Sequence, residues 1–366
     1  MVAVHAVLPA EQSNGWFMGG KSIYRDGSRV MMPLVTVGIP VYKRLNFLPL
    51  SLASVEAQDY PHIECLISDN GLNGTQVEDI ATRHYAKLFR VRKNCVTVGQ
   101  SEHYNQIAKD ASGKYFLLLN DDDEISPSLV SELVSLLERY PAAAVAIPKE
   151  ETMDLSGRTM RGSADIVPEL MSGEEFVRAW CRGIYRYETF TTILTRREAV
   201  VACGGYPSFP TGNGIDDALL AKLCLGNQVA LTAKCVFRKR TDEGSLGFSC
   251  DYRALTKAAR GFLSFLRVDP TIQRYAIAYP TRWQEVNDLL VKMIWKTCFE
   301  RWNGMYRARL SVIGWVRAAF TMPYIPDYYA AVGGTLVDAF KAAVFDAGKK
   351  LFPWAHRFCS RNRNAP

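Results

Sequence analysis

The sequence predicts an α/β protein with a mostly parallel sheet and flanking helices, followed by a C-terminal α-helical region. Three observations carry this reading. Short apolar runs rich in β-branched residues alternate with amphipathic stretches; the Asp, Asn and Gly residues that do not belong in a core gather directly after those runs; and the later part of the chain turns to helical spacing. With 366 residues, 48% hydrophobic and 22% charged, the chain can bury a large core, which excludes a disordered or collagenous protein.

Taken in order, Leu34 to Tyr42 (LVTVGIPVY) reads as a buried parallel strand that stops near Pro40. Leu48, Leu50, Leu52, Ala53 and Val55 recur near helical spacing until Asp59-Tyr60-Pro61 breaks the helix. Ile63 to Ser68 is a second strand running into the turn-rich Asp69-Asn70-Gly71-Leu72-Asn73-Gly74. A helix over 75–87, a short strand at Phe89 to Val91 and a helix over 101–111 follow. Tyr115 to Leu119 is a wholly apolar strand that opens into Asn120-Asp121-Asp122-Asp123-Glu124. A helix over 127–139 has Pro127 in its first turn, and 142–148 is again a strand. Beyond it come a helix at 172–182, a strand-like Thr189 to Thr195, the turn Gly204-Gly205-Tyr206-Pro207, a helix over 216–225 and a strand over 228–237. The tail reads as helices at Arg253 to Leu266, Trp283 to Arg301, Arg307 to Phe320 and Thr335 to Leu351. The organisation expected is an N-terminal arm (1–33), the α/β region (34–250) and a basic helical region (251–366).

Charge divides the same way. Residues 1–250 hold 26 Lys and Arg against 29 Asp and Glu, whereas residues 251–366 hold 18 against 8. A tail at +10 that also carries Trp283, Trp295, Trp302, Trp315 and Trp354 suits an anionic membrane surface. Helices packed on the α/β region with solvated basic faces remain an equal reading. The nine cysteines are scattered, without a C-x-x-C pair, and read as cytosolic thiols. No cationic leader or uncharged run of spanning length occurs, so secretion and membrane insertion are not expected. A cytoplasmic protein, peripheral at the inner face of the cell membrane, is.

Gly15-Trp16-Phe17-Met18-Gly19-Gly20-Lys21-Ser22 is a literal phosphate-loop match, but no strand feeds it and no long helix follows, so it reads as a Gly-rich arm. The triplet Asp121-Asp122-Asp123 is the strongest signal: adjacent carboxylates at a strand end repel one another and call for a countercharge, which Mg²⁺ or Mn²⁺ would supply. The other reading is a solvated turn capping the next helix. Asp216-Asp217 opens a helix and is either a cap or a general base. Arg238, Lys239 and Arg240 follow a strand and read, from the residues alone, as its solvated end. The five histidines form no metal-spaced set, and neither a G-x-S-x-G elbow nor a G-x-G-x-x-G turn is present.

The order Ile39-Pro40-Val41-Tyr42-Lys43-Arg44, Ile67-Ser68-Asp69-Asn70, Asn94 and Gly99, Ala111-Ser112-Gly113-Lys114-Tyr115, and Leu119-Asn120-Asp121-Asp122-Asp123 with Pro127 resembles glycosyltransferase family 2, sugar transferases of the GT-A fold. Ser-Asp-Asn in place of the commoner Asp-Asp-Gly-Ser is similar to the abequosyltransferase-like O-antigen and capsule branch. The resemblance spans about residues 34–245. It implies that Pro40, Tyr42 and Asp69 hold the base and ribose, with Arg44 in the same nucleotide site. Asp121 would contact ribose or phosphates, Asp122 and the adjoining Asp123 would bind the metal, and Asp217 would act as catalytic base. The function implied is inverting, metal-dependent transfer of a hexosyl or deoxyhexosyl group from a nucleotide-sugar to a glycan or lipid-linked acceptor, in bacterial surface polysaccharide synthesis. A non-catalytic nucleotide-sugar-binding or scaffold protein of a polysaccharide assembly is the alternative. Nucleic-acid binding lacks any named module.

Overall fold

The run predicted to be the first buried strand lies within an eleven-stranded sheet, and the acidic motifs follow the carboxyl ends of the strands beside it. The computed structural model describes residues 32–87, 89–209, 212–241 and 252–307, with three short strands ahead of them, β1 (Ala6–Val7), β2 (Ile23–Arg25) and β3 (Ser28–Val30). The Gly15 to Ser22 stretch lies outside the described residues. So does the chain after Arg307, with the helices expected from there to Phe320 and over Thr335 to Leu351.

The first half alternates strand and helix: β4 (Val35–Val41), α1 (Leu48–Glu56), β5 (Ile63–Asp69), α2 (Gln76–His84), β6 (Phe89–Lys93), α3 (Gln100–Asp110) and β7 (Tyr115–Leu118). Next come β8 (Glu124–Ile125), α4 (Leu129–Arg139), β9 (Ala143–Met153), β10 (Thr159–Gly162), β11 (Leu170–Ser172), α5 (Gly173–Cys181), β12 (Leu194–Arg196), α6 (Arg197–Ala202), α7 (Ile215–Cys224) and β13 (Gln228–Arg240). Three helices follow, α8 (Tyr252–Val268), α9 (Pro270–Ala278) and α10 (Pro280–Arg307).

The sheet runs β1-β6-β5-β4-β7-β12-β9-β13-β11, with β10 on β9 and β8 on β13. Strands β1, β6, β5, β4 and β7 are parallel, β12 is antiparallel to both its neighbours, and β9 and β13 are parallel again. The register of β4 against β5 runs from Val35 opposite Ile63 to Val41 opposite Asp69, so Tyr42 and Asn70 leave the sheet side by side. Every residue of β4 is buried, as a parallel strand covered on both faces requires. This is an α/β fold with a mixed, mostly parallel sheet and helices following it.

Several boundaries differ from expectation for identifiable reasons. Pro127 stands outside α4, whose N-cap is Ser128; its carbonyl accepts from Asp59 N instead, which fastens the end of α1 to the turn. The strand expected over Thr189 to Thr195 shrinks to β12, because the amides of residues 188–190 are taken by side-chain carboxylates rather than by a strand. Helix α9 escaped the helical-spacing reading, although Asp269-Pro270 is a start signal: Asp269 accepts from Thr271 N and Ile272 N, and proline takes the first turn.

The described helices α8 to α10 share a core with the sheet region. Leu255, Phe262, Ile272 and Trp295 are buried in one apolar cluster with Phe176, Trp180 and Leu220. A charged pair crosses the same contact. Lys222 on α7, 4% exposed, donates to Gly205 O at 2.9 Å, and its Nζ lies 3.3 Å from Asp269 Oδ2 at the start of α9. An ammonium this deep needs its countercharge at hand. No helix among the described residues is long and apolar enough to cross a membrane, and the described cysteines are all free thiols.

Candidate active site

Parallel strands end on the same side of a sheet, so the segments after β4, β5 and β7 converge there. After β5 the chain makes a tight turn organised by Asp69. This carboxylate is 2% exposed; Oδ1 accepts from Gly71 N (2.8 Å) and Asn73 Nδ2 (2.8 Å), and Oδ2 accepts from Asn73 N (3.0 Å). Between the two clamped amides sits Leu72 at φ 58°, a left-handed conformation that leucine seldom takes. Gly71 has to be glycine, since a Cβ there would stand 1.8 Å from Tyr42 O. Asn73 Nδ2 also donates to Tyr42 O, which ties this turn to the end of β4 and leaves the Tyr42 ring 39% exposed under the Lys43 ammonium. Asn70 Nδ2 donates to Val98 O, and its Oδ1 accepts from Asn94 Nδ2 and Val98 N, fixing the neighbouring 94–98 loop.

Pro40 is buried within β4, beyond the point where pairing with β7 ends at Gly38, so its missing N–H costs no ladder bond on that side. Arg44 Nη2 lies 2.7 Å from Asp122 Oδ2. The countercharge that the triplet calls for therefore comes, in this conformation, from a nearby arginine.

The three aspartates differ sharply in environment. Asp123 is 1% exposed, with Oδ1 accepting from Arg240 N (2.8 Å) and Oδ2 from Asn120 Nδ2 (3.0 Å). Burial and the neighbouring Asp122 charge push its carboxyl well above the usual range. Asp121 and Asp122 are half-buried at the strand end. Burial, then the charge of Asp122, raises Asp121 to about 7, opposed by a backbone hydrogen bond from Tyr42 and by Arg44. Arg240, written in the sequence as one of three basic residues at a strand end, is 4% exposed; it reaches Asp122 O at 3.0 Å, pairs with Glu124 and lies 4.6 Å from the Phe47 ring centroid. Arg238 donates to Gly157 O at 2.6 Å and Lys239 pairs with Glu188 at 3.1 Å.

The second acidic pair sits in the first turn of α7, after Gly214, whose φ of 82° is the sharp entry that this helix needs. Asp216 Oδ2 accepts from Thr189 Oγ1 (2.7 Å) and Phe190 N (2.9 Å). Asp217 is half-buried beside it, where a helix N-terminus favours a carboxylate. A chain of hydrogen bonds joins this turn to the triplet: Thr189 Oγ1 lies 3.2 Å from Thr191 Oγ1, Asn120 Nδ2 donates to Thr191 Oγ1 at 3.4 Å, and Asn120 also donates to Asp123. Tyr104, 5% exposed, donates to Asn120 Oδ1 at 3.2 Å.

Sequence reasoning missed the members of this framework that are not themselves acidic motifs: Asn73, Tyr104, Thr189 and Thr191. It also missed Glu150. Only alternation along Lys149-Glu150-Glu151-Thr152, with residues 150 and 152 buried and residues 149 and 151 half-buried, carried a trace of it.

Among the described residues, no three His, Cys, Asp or Glu side chains come together as a ready-made cation cage. A Mg²⁺ or Mn²⁺ site of the kind that takes one or two carboxylates, waters and substrate phosphates needs no such cage. The half-buried Asp121 and Asp122 fit that donor set, while both oxygens of Asp123 are engaged by the fold.

Residues 36–203 match the model of glycosyl transferase family 2. The matched residues run from β4 through α6 and include the acidic triplet, while Asp216 and Asp217 follow them. An uncharacterized glycosyltransferase of Rickettsia bellii is 30% identical over 118 residues, 32% of this chain and 17% of that protein. One from Haemophilus influenzae is 27% identical over 110 residues, 29% of this chain and 33% of that protein. The chain spans about a sixth to a third of the length of the curated relatives it matches. Over more of the chain the likeness is one of fold: the crystal structure of residues 1–349 of S. aureus TarS in complex with UDP-GlcNAc superposes with a TM-score of 0.52, covering 83% of this chain and 92% of that one at 14% identity. The expected GT-A architecture is the one observed.

Proposed function

We propose that this chain is an inverting, metal-dependent glycosyltransferase that moves a hexosyl or deoxyhexosyl group from a nucleotide-sugar to a hydroxyl of a glycan or lipid-linked acceptor in bacterial surface polysaccharide synthesis, within the abequosyltransferase-like branch. The observation that carries the reading is the hydrogen-bonded framework joining two acidic groups, the triplet after β7 and the pair opening α7, in a chain whose residues 36–203 match family 2. The organisation proposed is an arm (1–33), a transferase region (34–250) and a basic helical region (251–366).

In this reading Pro40, Tyr42 and Arg44 contact the nucleotide, and Asp69 acts by shaping the turn against which the base rests. Asp217 takes the proton of the acceptor hydroxyl as that oxygen attacks the anomeric carbon; the bond from that carbon to the diphosphate oxygen breaks, and configuration inverts. Asp122 would hold Mn²⁺ or Mg²⁺, with Asp121 beside it in place of the Asp123 that the resemblance implied, because both oxygens of Asp123 are taken by Arg240 N and Asn120 Nδ2; the cation would stabilise charge on the leaving diphosphate. Asp123 supports the loop from beneath. A non-catalytic nucleotide-sugar-binding or scaffold role is favoured by one observation, the Arg44–Asp122 pair that already neutralises the proposed metal ligand.

A thermal-shift titration with UDP and GDP, with and without Mn²⁺, together with turnover of UDP-GlcNAc and related nucleotide-sugars, separates these readings. Stabilisation by nucleoside diphosphate only when Mn²⁺ is present, with release of free sugar or transfer product, supports the enzyme. Binding without turnover of any donor supports the scaffold, and no binding removes both.

The +10 tail supports docking on an anionic membrane surface, where a lipid-linked acceptor is presented. Each Lys or Arg held near such a surface contributes about 1 kcal/mol. The full chain should sediment with acidic vesicles at low salt and release at high salt, and a chain ended at residue 325 should stay in solution. Equal behaviour of the two would favour helices that serve packing or assembly alone.

A further inference from the structure

Among the described residues, the proposed chemistry leaves one buried carboxylate without a task. Glu150 lies on β9, 3% exposed, in a position where an apolar side chain would pack without the cost of desolvating a charge. Its oxygens accept from Glu188 N at 3.0 and 3.2 Å and from Thr189 N at 3.2 Å. These amides belong to the irregular segment that stands where a longer strand was expected, so Glu150 replaces the partner strand as their acceptor. The next links run toward α7: Thr189 Oγ1 and Phe190 N both donate to Asp216 Oδ2. The Phe190 ring packs edge-on against Trp180, centroids 4.9 Å apart, which seats the segment on α5. Segment 188–191 is thus stretched between a carboxylate on β9 and a carboxylate in the first turn of α7, the turn that also carries Asp217.

We propose that Glu150 is a positioning residue for the reaction proposed above: by holding the amides of Glu188 and Thr189 it aims the Thr189 hydroxyl at Asp216 and thereby sets the first turn of α7 and the direction of the Asp217 carboxylate. The inference rests on the glycosyltransferase reading for its consequence in turnover, but its physical content, coupling between position 150 and the start of α7, does not. Two substitutions separate the links. Glu150→Gln keeps the volume, but one of its two terminal groups becomes an NH₂ that cannot accept from a backbone amide. Thr189→Val keeps the shape of residue 189 and its amide bond to Glu150 and removes only the hydroxyl that reaches Asp216.

The test uses the full chain, with hydrogen exchange followed by mass spectrometry at pH 8 and turnover of UDP-GlcNAc or whichever nucleotide-sugar the wild type consumes. Glu150→Gln should raise exchange about tenfold in peptides covering 188–191 and also in those covering 214–219, with the sheet still protected. Thr189→Val should raise it at 214–219 and leave residues 188 and 189 protected. In turnover both variants should lose kcat by about tenfold with donor KM within about twofold, and the double variant should be no worse than the poorer single one. Faster exchange at 188–191 alone after Glu150→Gln, or multiplicative losses in the double variant, would overturn the proposal. If Glu150→Gln fails to fold, unchanged exchange at 214–219 in Thr189→Val would overturn it as well. Coupled exchange in a wild-type chain that consumes no nucleotide-sugar would instead leave the coupling standing and remove the functional reading.

Discussion

Asp217→Asn is expected to slow sugar transfer by about a hundredfold or more while donor binding stays within about twofold of wild type. The substitution preserves shape and can still accept a hydrogen bond at the start of α7, so the loss would report basicity. The alternative role, a capping carboxylate, makes the opposite forecast: a lower melting temperature with the rate per folded molecule unchanged, because a charge at a helix N-terminus contributes about 0.3–1 kcal/mol. Steady-state rates against donor concentration, alongside melting curves, decide between them. Asp216 is the internal comparison. Its Oδ2 already accepts from Thr189 Oγ1 and Phe190 N, so removing it should loosen the fold as well as the activity.

Asp122→Ala should abolish Mn²⁺-dependent binding of nucleoside diphosphate and with it detectable turnover, leaving the fold intact. Titration calorimetry of UDP and GDP in the presence and absence of Mn²⁺ is the check, and retention of full metal-dependent binding would remove Asp122 from the site. Stability should change little because the Arg44 and Asp122 side chains are 35% and 17% exposed, and pairs that water reaches are worth about 0–1 kcal/mol. Asp123→Ala is the contrasting control. That change strips the buried Arg240 N of its acceptor and Asn120 Nδ2 of the nearer of its two, and the penalty should appear in the melting temperature whether or not ligand is present.

The comparison between these two neighbours shows where sequence stops being informative. The run of three aspartates announces an acidic strand end, and its place after a wholly apolar strand announces an α/β sheet; both inferences follow from composition along a few residues. Which carboxylate turns inward depends on β13, more than a hundred residues away, delivering the amide of Arg240 to Asp123. The same distance problem hid the role of Arg240, whose guanidinium closes the underside of the loop through Asp122 O and Glu124. At 189–195 the β-branched threonines favour a strand, but the amides find carboxylates first, and tertiary contacts override propensity. Helix α9 was legible in Asp269-Pro270, a local signal that the search for apolar periodicity passed over. The turn at 69–74 was legible as a turn, while the cost carried by Leu72 at φ 58° emerges only from the clamp on either side of it.

Lys222 extends the matter beyond the sheet. Its ammonium sits inside the α/β region, on the helix that opens with the acidic pair, yet the carboxylate facing it, Asp269, is supplied from the junction of α8 and α9. The same lysine steadies Gly205 O in the turn that leads toward that pair. Chimeras that exchange the α/β region among relatives therefore have to move positions 222 and 269 together, since a graft carrying one without the other would install a lone charge in an apolar interior. The α/β region and the helices that follow it are in this architecture inherited as one piece.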